Sequence, residues 1–190
     1  AMSAQMGNYY QGGLAVQSGD TVYYGFRDDR KADSGECYGL IARKTDGSTK
    51  TVFTSNRAPD SLYLSEDGAF YFLCWEKLLR YDPAADKLEE VYAAKGKIDS
   101  FQIYDGRLYV LENYSGDSNY PDQWRYRFGC VENGQFRSLM DGITFNQVIN
   151  MDRFHIFNNK AYFLFGDSTE PSSSGSGYVF YNYALWSLDL

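Results

Sequence analysis

The 190-residue chain is poor in several things that particular protein classes need. Cysteine occurs three times, as Cys37, Cys74 and Cys130, far apart and never as C-x-x-C. An odd, scattered set argues against a disulfide framework and more strongly against zinc ligation. The thiols read as buried free cysteines, which behave as small hydrophobes. Histidine occurs once, as His155, and no serine stands in G-x-S-x-G, so a Ser–His–Asp hydrolase has little support and the histidine reads as a core or surface residue of a strand. Lys and Arg number 18 against 25 Asp and Glu, a formal charge of −7. A surface that neutralises phosphates needs the opposite balance, so nucleic acid is not an expected partner. No apolar run reaches the roughly 18 residues of a bilayer span, so no membrane insertion is expected. The opening AMSAQMGNYY has neither a basic segment nor an apolar core and does not read as a signal peptide. It reads instead as the lead into a domain excised from a larger protein.

Cofactor signatures are missing too. GSTK at 47–50 lacks the upstream glycine spacing of a phosphate loop and joins two strands, where a phosphate loop would lead into a helix. SGDSNYPD at 115–122 offers oxygen ligands that calcium would accept, but without a D-x-D-x-D-G run and a distal Glu. No cofactor and no metal are expected.

What the chain has is aromatic and turn residues: 18% aromatics, 18 Tyr and 18 Gly beside only 4 Pro. Aromatic side chains suit a pleated, half-buried surface and Gly suits tight turns, so the chain reads as all-β. LYLSEDGAFYFLCW at 62–75 is nearly restated as FQIYDGRLYVLENY at 101–114. Aligned on apolar-Tyr-apolar cores, the chain gives VYY, FYF, LYV and AYF centred on Tyr23, Tyr71, Tyr109 and Tyr162, spaced 48, 38 and 53 residues apart. Each core follows a turn, SGD, EDG, DG or NN, and before the turn stands a short strand, GLAVQ, SLYLS, SFQIY or RFHIF. Each unit therefore opens with a β-hairpin. A third strand follows in all four units, and a fourth, TKTVFTS, KLEEVYA or QFRSLM, in the first three.

Four antiparallel strands recurring at roughly 40–50 residues is the period of a β-propeller blade. The expectation is a single domain over 1–190 made of four four-stranded blade repeats, at about 12–56, 57–97, 98–142 and 143–190. The last unit stops at Leu190, one strand short. Either the N-terminal segment near Gln5 supplies the missing strand and closes the ring, or the chain is part of a larger propeller completed by a partner chain or by a second copy in a homodimer. Closure would remove the unpaired edges that invite aggregation.

GNYYQGGLAVQSGDTVYYGF, followed by RKTDGSTKTVF, resembles the opening blade of the bacterial propeller-like domains called DUF5050, which are related to the YWTD propellers of low-density-lipoprotein receptors. The later units keep that grammar without its wording. The resemblance implies an extracytoplasmic or cell-surface location in bacteria, and it carries over no catalytic residue.

In a propeller the connections from second to third strand share one face. Here they are long in three units, RDDRKADSGEC at 27–37, NYSGDSNYPDQW at 113–124 and GDSTEPSSSGSGY at 166–178, and a bare WEK in the second. Long loops are often functional. In the third unit Tyr114, Tyr120 and Trp124 stand among Asp117, Asn119 and Asp122, a mixture suited to stacking on carbohydrate or to a protein hot spot, or simply to packing the loop down. In the first, Arg27, Asp28, Asp29 and Arg30 could pair with a charged ligand or form a solvated salt-bridge cluster. PSSSGSG in the fourth reads as a passive, flexible tip. The leading functional reading is a non-catalytic module that binds a protein or a glycan on this face. A polysaccharide hydrolase or lyase using two paired carboxylates is the alternative from another class, and a structural spacer is a third.

Overall fold

The computed structural model describes residues 15–113, 125–144, 154–171 and 178–190. These form four antiparallel sheets, and the chain divides into two compact units, Ala1–Ala93 and Ala94–Leu190.

The first unit holds two four-stranded meanders: β1 (Ala15–Ser18), β2 (Thr21–Arg27), β3 (Tyr38–Lys44) and β4 (Thr49–Ser55), then β5 (Asp60–Leu64), β6 (Phe70–Cys74), β7 (Lys77–Asp82) and β8 (Lys87–Ala93). β1 lies beside β5, so the first strands of the two sheets are neighbours. Between the sheets, Tyr23, Leu40 and Ala42 meet Phe70, Phe72, Cys74, Leu79 and Tyr81. The Tyr23 ring sits 4.7 Å from that of Phe70 and 5.8 Å from that of Tyr81. Such aromatic pairs add about 0.5–1.5 kcal/mol each beyond the area they bury. At the rim of this core, Lys50 on β4 donates to Asp86 in the β7–β8 turn, and the Tyr81 hydroxyl donates to the other oxygen of that carboxylate at 2.7 Å. Lys50 first, and Tyr81 second, hold the Asp86 carboxyl below its usual range.

The second unit holds β9 (Lys97–Tyr104), β10 (Arg107–Asn113), β11 (Arg125–Glu132) and β12 (Gln135–Thr144), and a three-stranded sheet of β13 (Phe154–Phe157), β14 (Lys160–Pro171) and β15 (Tyr178–Asp189). Again the first strands, β9 and β13, lie side by side. The Gln102 amide accepts from Ile156 N at 2.8 Å and donates to Ile156 O at 3.3 Å, doing between sheets what a peptide group does within one. Two residues on, the Tyr104 hydroxyl donates to Asn159 Oδ1 and accepts from Asn159 N, both at 3.1 Å. Tyr109, Leu111, Tyr126, Phe128 and Cys130 form one core cluster with Phe154, Ile156, Ala161 and Phe163.

Local chemistry explains the turns. The β9–β10, β11–β12 and β13–β14 hairpins close on Asp105–Gly106, Asn133–Gly134 and Asn158–Asn159, with both central residues at positive φ in each. That geometry matches the twist of paired strands and suits these residue types. The three four-stranded sheets share a further feature. The pairing of third with fourth strand slips immediately after Leu40, Leu78 and Phe128. Each of these is fully buried and stands two positions before the residue opposite the repeat tyrosine. A bulge bends and twists a strand, so the outer strands of the three sheets turn at one common point.

Two expectations meet the structure differently. The three cysteines are free and buried. The long fourth-unit loop read over 166–178 is shorter than expected, because β14 continues to Pro171 and β15 begins at Tyr178, paired through Ser168↔Tyr181, Thr169↔Phe180 and Glu170↔Val179. YVFYNY at 178–183 is rich in strand-forming residues, and this extends the ladder toward the loop tip.

Candidate binding site

The end of β4 meets the end of β6 in the first unit, Ser55 Oγ standing 3.2 Å from Cys74 Sγ, and through Arg27↔Tyr38↔Ser55 this is also the end of the first sheet at which β2 stops. This common end carries the passages from second to third strand of both sheets.

In the first sheet the passage is drawn closed by Asp28 N donating to Cys37 O at 2.7 Å, and it runs through a 3₁₀ turn over Asp29–Ser34. Four of its charges form two ion pairs. Arg30 grips Asp28 with Nε–Oδ1 at 2.8 Å and Nη2–Oδ2 at 3.1 Å. Arg27 Nε lies 2.6 Å from Asp29 Oδ1, a charge contact without hydrogen-bond alignment, and the Arg27 guanidinium stands 5.6 Å from the centre of the Tyr38 ring. The hydrogen bond from Arg30 holds the Asp28 carboxyl below its usual range. A carboxylate so held stays ionised at neutral pH and cannot donate a proton as a general acid. Arg27, Asp29 and Arg30 are thus brought together, as two neighbouring ion pairs.

In the second sheet the passage is a two-residue turn, Trp75–Glu76, between the paired residues Cys74 and Lys77. Trp75 adopts φ of +58° and remains 44% exposed. A bulky residue in the left-handed region costs of order 1–3 kcal/mol and persists only where its surroundings enforce it. Here the Arg57 guanidinium lies over the indole, 4.4 Å from the ring centre. Arg57 is itself tied down at both ends of its backbone: its N–H donates to Ser55 Oγ at 3.1 Å, and its carbonyl accepts from Cys74 Sγ at 3.7 Å. Burial pushes the Cys74 thiol up, so this sulfur is a structural link and no nucleophile.

In the second unit Tyr114, Asp117, Tyr120, Asp122 and Trp124 lie outside the described residues, as do 172–177. At the strand ends from which the third-unit loop departs, Glu112 is fully buried and accepts from Arg127 Nε at 2.5 Å. The Arg127 guanidinium also stacks on Phe136 at 4.3 Å. A charge buried in this way survives only with such a partner. His155 is exposed on β13.

Sequence reasoning did not single out Trp75, Arg57, Glu112 or Arg127. For Trp75 a signal existed: CWEK closes a hairpin with no Gly, Asn or Asp to take the positive φ that a two-residue turn demands. Glu112 and Arg127 are 15 residues apart and meet only through the β10–β11 register.

No protein-family model matches the chain, and no curated protein does. Among solved structures it is similar to an extracellular domain assigned to a one-component system of B. thetaiotaomicron, with 11% identity, a TM-score of 0.48, and coverage of 76% of this chain and 18% of that one. It is also similar to regucalcin, a calcium-binding protein of Agrobacterium tumefaciens, with 14% identity, a TM-score of 0.42, and coverage of 78% of this chain and 50% of that one. The chain thus spans half or less of the length of either structure. Among the described residues no helix is long and apolar enough to cross a membrane.

Proposed function

We propose that this chain is part of a β-propeller acting as a non-catalytic binding module, whose ligand, a protein or a glycan, sits where the second strands of the sheets pass to the third. One observation carries this reading: in the first compact unit those passages leave from the same end of the sheets, where half-buried Arg27 with Tyr38 and exposed Arg57 with Trp75 stand at strand termini. Groups held on rigid roots lose little freedom on binding, so more of the contact energy is expressed as affinity. The loop candidates Tyr114, Asp117, Tyr120, Asp122 and Trp124 of the third repeat belong to the same proposal. The adjacent first strands and the shared bulge support the propeller reading, since a propeller repeats one four-stranded sheet around its channel. The extracytoplasmic placement implied by the DUF5050 resemblance belongs to the same proposal.

A thermal-shift screen against cell-wall glycans, host-type glycans, peptides and calcium tests the reading, with a Tyr120→Ala/Trp124→Ala variant alongside. A ligand at about 100 times its Kd adds ~2.7 kcal/mol, which raises the melting temperature of a domain of this size by about 5–10 °C. The expected result is a shift with one glycan or peptide class that shrinks in the variant. A panel in which nothing moves the wild-type protein overturns glycan and peptide binding.

A further inference from the structure

We infer that the Trp75–Arg57 stack is a subsite for an acidic sugar, a pyranose ring bearing a carboxylate. The inference rests on the binding-module reading and deepens it with a ligand chemistry that the reading does not contain. Three observations converge on it. Trp75 occupies a backbone conformation that costs a bulky residue energy, yet its ring is exposed and fills no core. Arg57 is exposed and makes no ion pair among the described residues, in a chain with an excess of acidic groups, whereas Arg27 and Arg30 are both matched to carboxylates. Finally, the backbone of Arg57 is tied through Ser55 to Cys74, the residue before Trp75, so the roots of both side chains are fixed to one another before any ligand arrives.

The chemistry follows from what each group leaves free. An indole with a guanidinium on one face still offers its other face and edge, flat apolar surface on which the C–H face of a pyranose can lie. Stacking occupies the plane of the guanidinium but not its N–H edge, which suits the two oxygens of a carboxylate. A neutral sugar uses only the ring, and a small anion uses only the guanidinium. A uronic acid residue uses both.

Calorimetric titration with a galacturonic acid oligomer, and with the same oligomer fully methyl-esterified, tests this on the full chain carrying Trp75→Gly or Arg57→Gln. Gly accepts the left-handed conformation without a Cβ clash, which offsets the lost ring contacts, so a Trp75→Gly melt near the wild-type temperature separates a loss of binding from a loss of fold. The acidic oligomer is expected to bind wild type, to bind at least about 10-fold more tightly than its ester, and to lose about 10-fold or more in each variant, as a charge-assisted contact warrants. Absence of binding to wild type, equal binding of acid and ester, or binding intact in both variants overturns the inference. The first two outcomes, accompanied by a neutral-glycan or peptide hit in the broader screen, leave the binding-module reading standing. So does acidic-oligomer binding that survives at Trp75 and Arg57 but is lost in Tyr120→Ala/Trp124→Ala. Silence across the whole screen removes both.

Discussion

Gly39 on β3 and Gly129 on β11 are interior strand residues with no turn to make, and each is required by a neighbour. A Cβ on Gly39 would stand 2.1 Å from the carbonyl oxygen of Phe53 and 2.7 Å from the Phe26 ring. On Gly129 it would stand 2.3 Å from the carbonyl oxygen of Arg137 and 2.7 Å from the Phe136 ring. The rings could turn aside, but the carbonyls belong to the adjacent strand and could move only with it. Gly39→Ala and Gly129→Ala are therefore each expected to destabilise by about 1–3 kcal/mol, the ordinary cost of overpacking. Urea unfolding would read this as a lower midpoint with an unchanged slope; a midpoint equal to wild type would mean that the fourth strand yields freely. A glycine inside a strand pattern does signal close approach, so the need for a small residue was legible in YGLIARK and RFGCVENG. The partner was not, because Phe53 and Arg137 are fixed by the slipped pairing of third and fourth strands, and no local pattern announces a slip.

At the level of elements, turns were readable and joints between sheets were not. DG, NG and NN stand where the hairpins close, since the positive φ they tolerate is a property of the residues themselves. Gln102, by contrast, sits in SFQIY as an ordinary polar residue of a strand, and nothing within that strand shows that its amide will satisfy both backbone groups of Ile156 on β13. Gln102→Ala should leave that N–H and C=O without their partner, at a cost of about 1–3 kcal/mol. The diagnostic readout is local: amide exchange at Ile156 should accelerate beyond what the fall in global stability accounts for. An Ile156 amide that exchanges no faster than global unfolding allows would show that water replaces the side chain without loss. The candidate site divides in the same way. Arg27, Asp29 and Arg30 lie close in sequence and were found together, whereas Arg57 and Trp75 belong to different strands' ends and meet only after β5 has folded back along β6.

On the scale of the whole molecule the question is what the last sheet shows to its surroundings. Phe154, Ile156, Ala161 and Phe163 turn one face into the core of the second unit. Strand alternation and the register Phe157↔Lys160 and Leu164↔Leu185 place Phe157, Tyr162, Leu164 and Leu185 on the opposite face. There Phe157 is 59%, Leu164 54% and Leu185 69% exposed. Leu164 and Leu185 stand opposite one another there as an exposed apolar pair, with Phe157 set apart from them by Tyr162 and the Lys160–Asp189 ion pair. Such exposed apolar surface suits a partner that covers it, and β15 pairs only with β14 among the described residues, so an outer strand edge adjoins it. A second copy of the chain can meet both needs at once. Sedimentation velocity over a wide concentration range should then show wild-type association that the Leu164→Glu/Leu185→Glu variant lacks, with a melting temperature nearly unchanged at low concentration because both side chains are already solvated. A wild-type protein that stays monomeric at every concentration would exclude the second copy and leave a different chain, or another part of the same one, as the cover for this face.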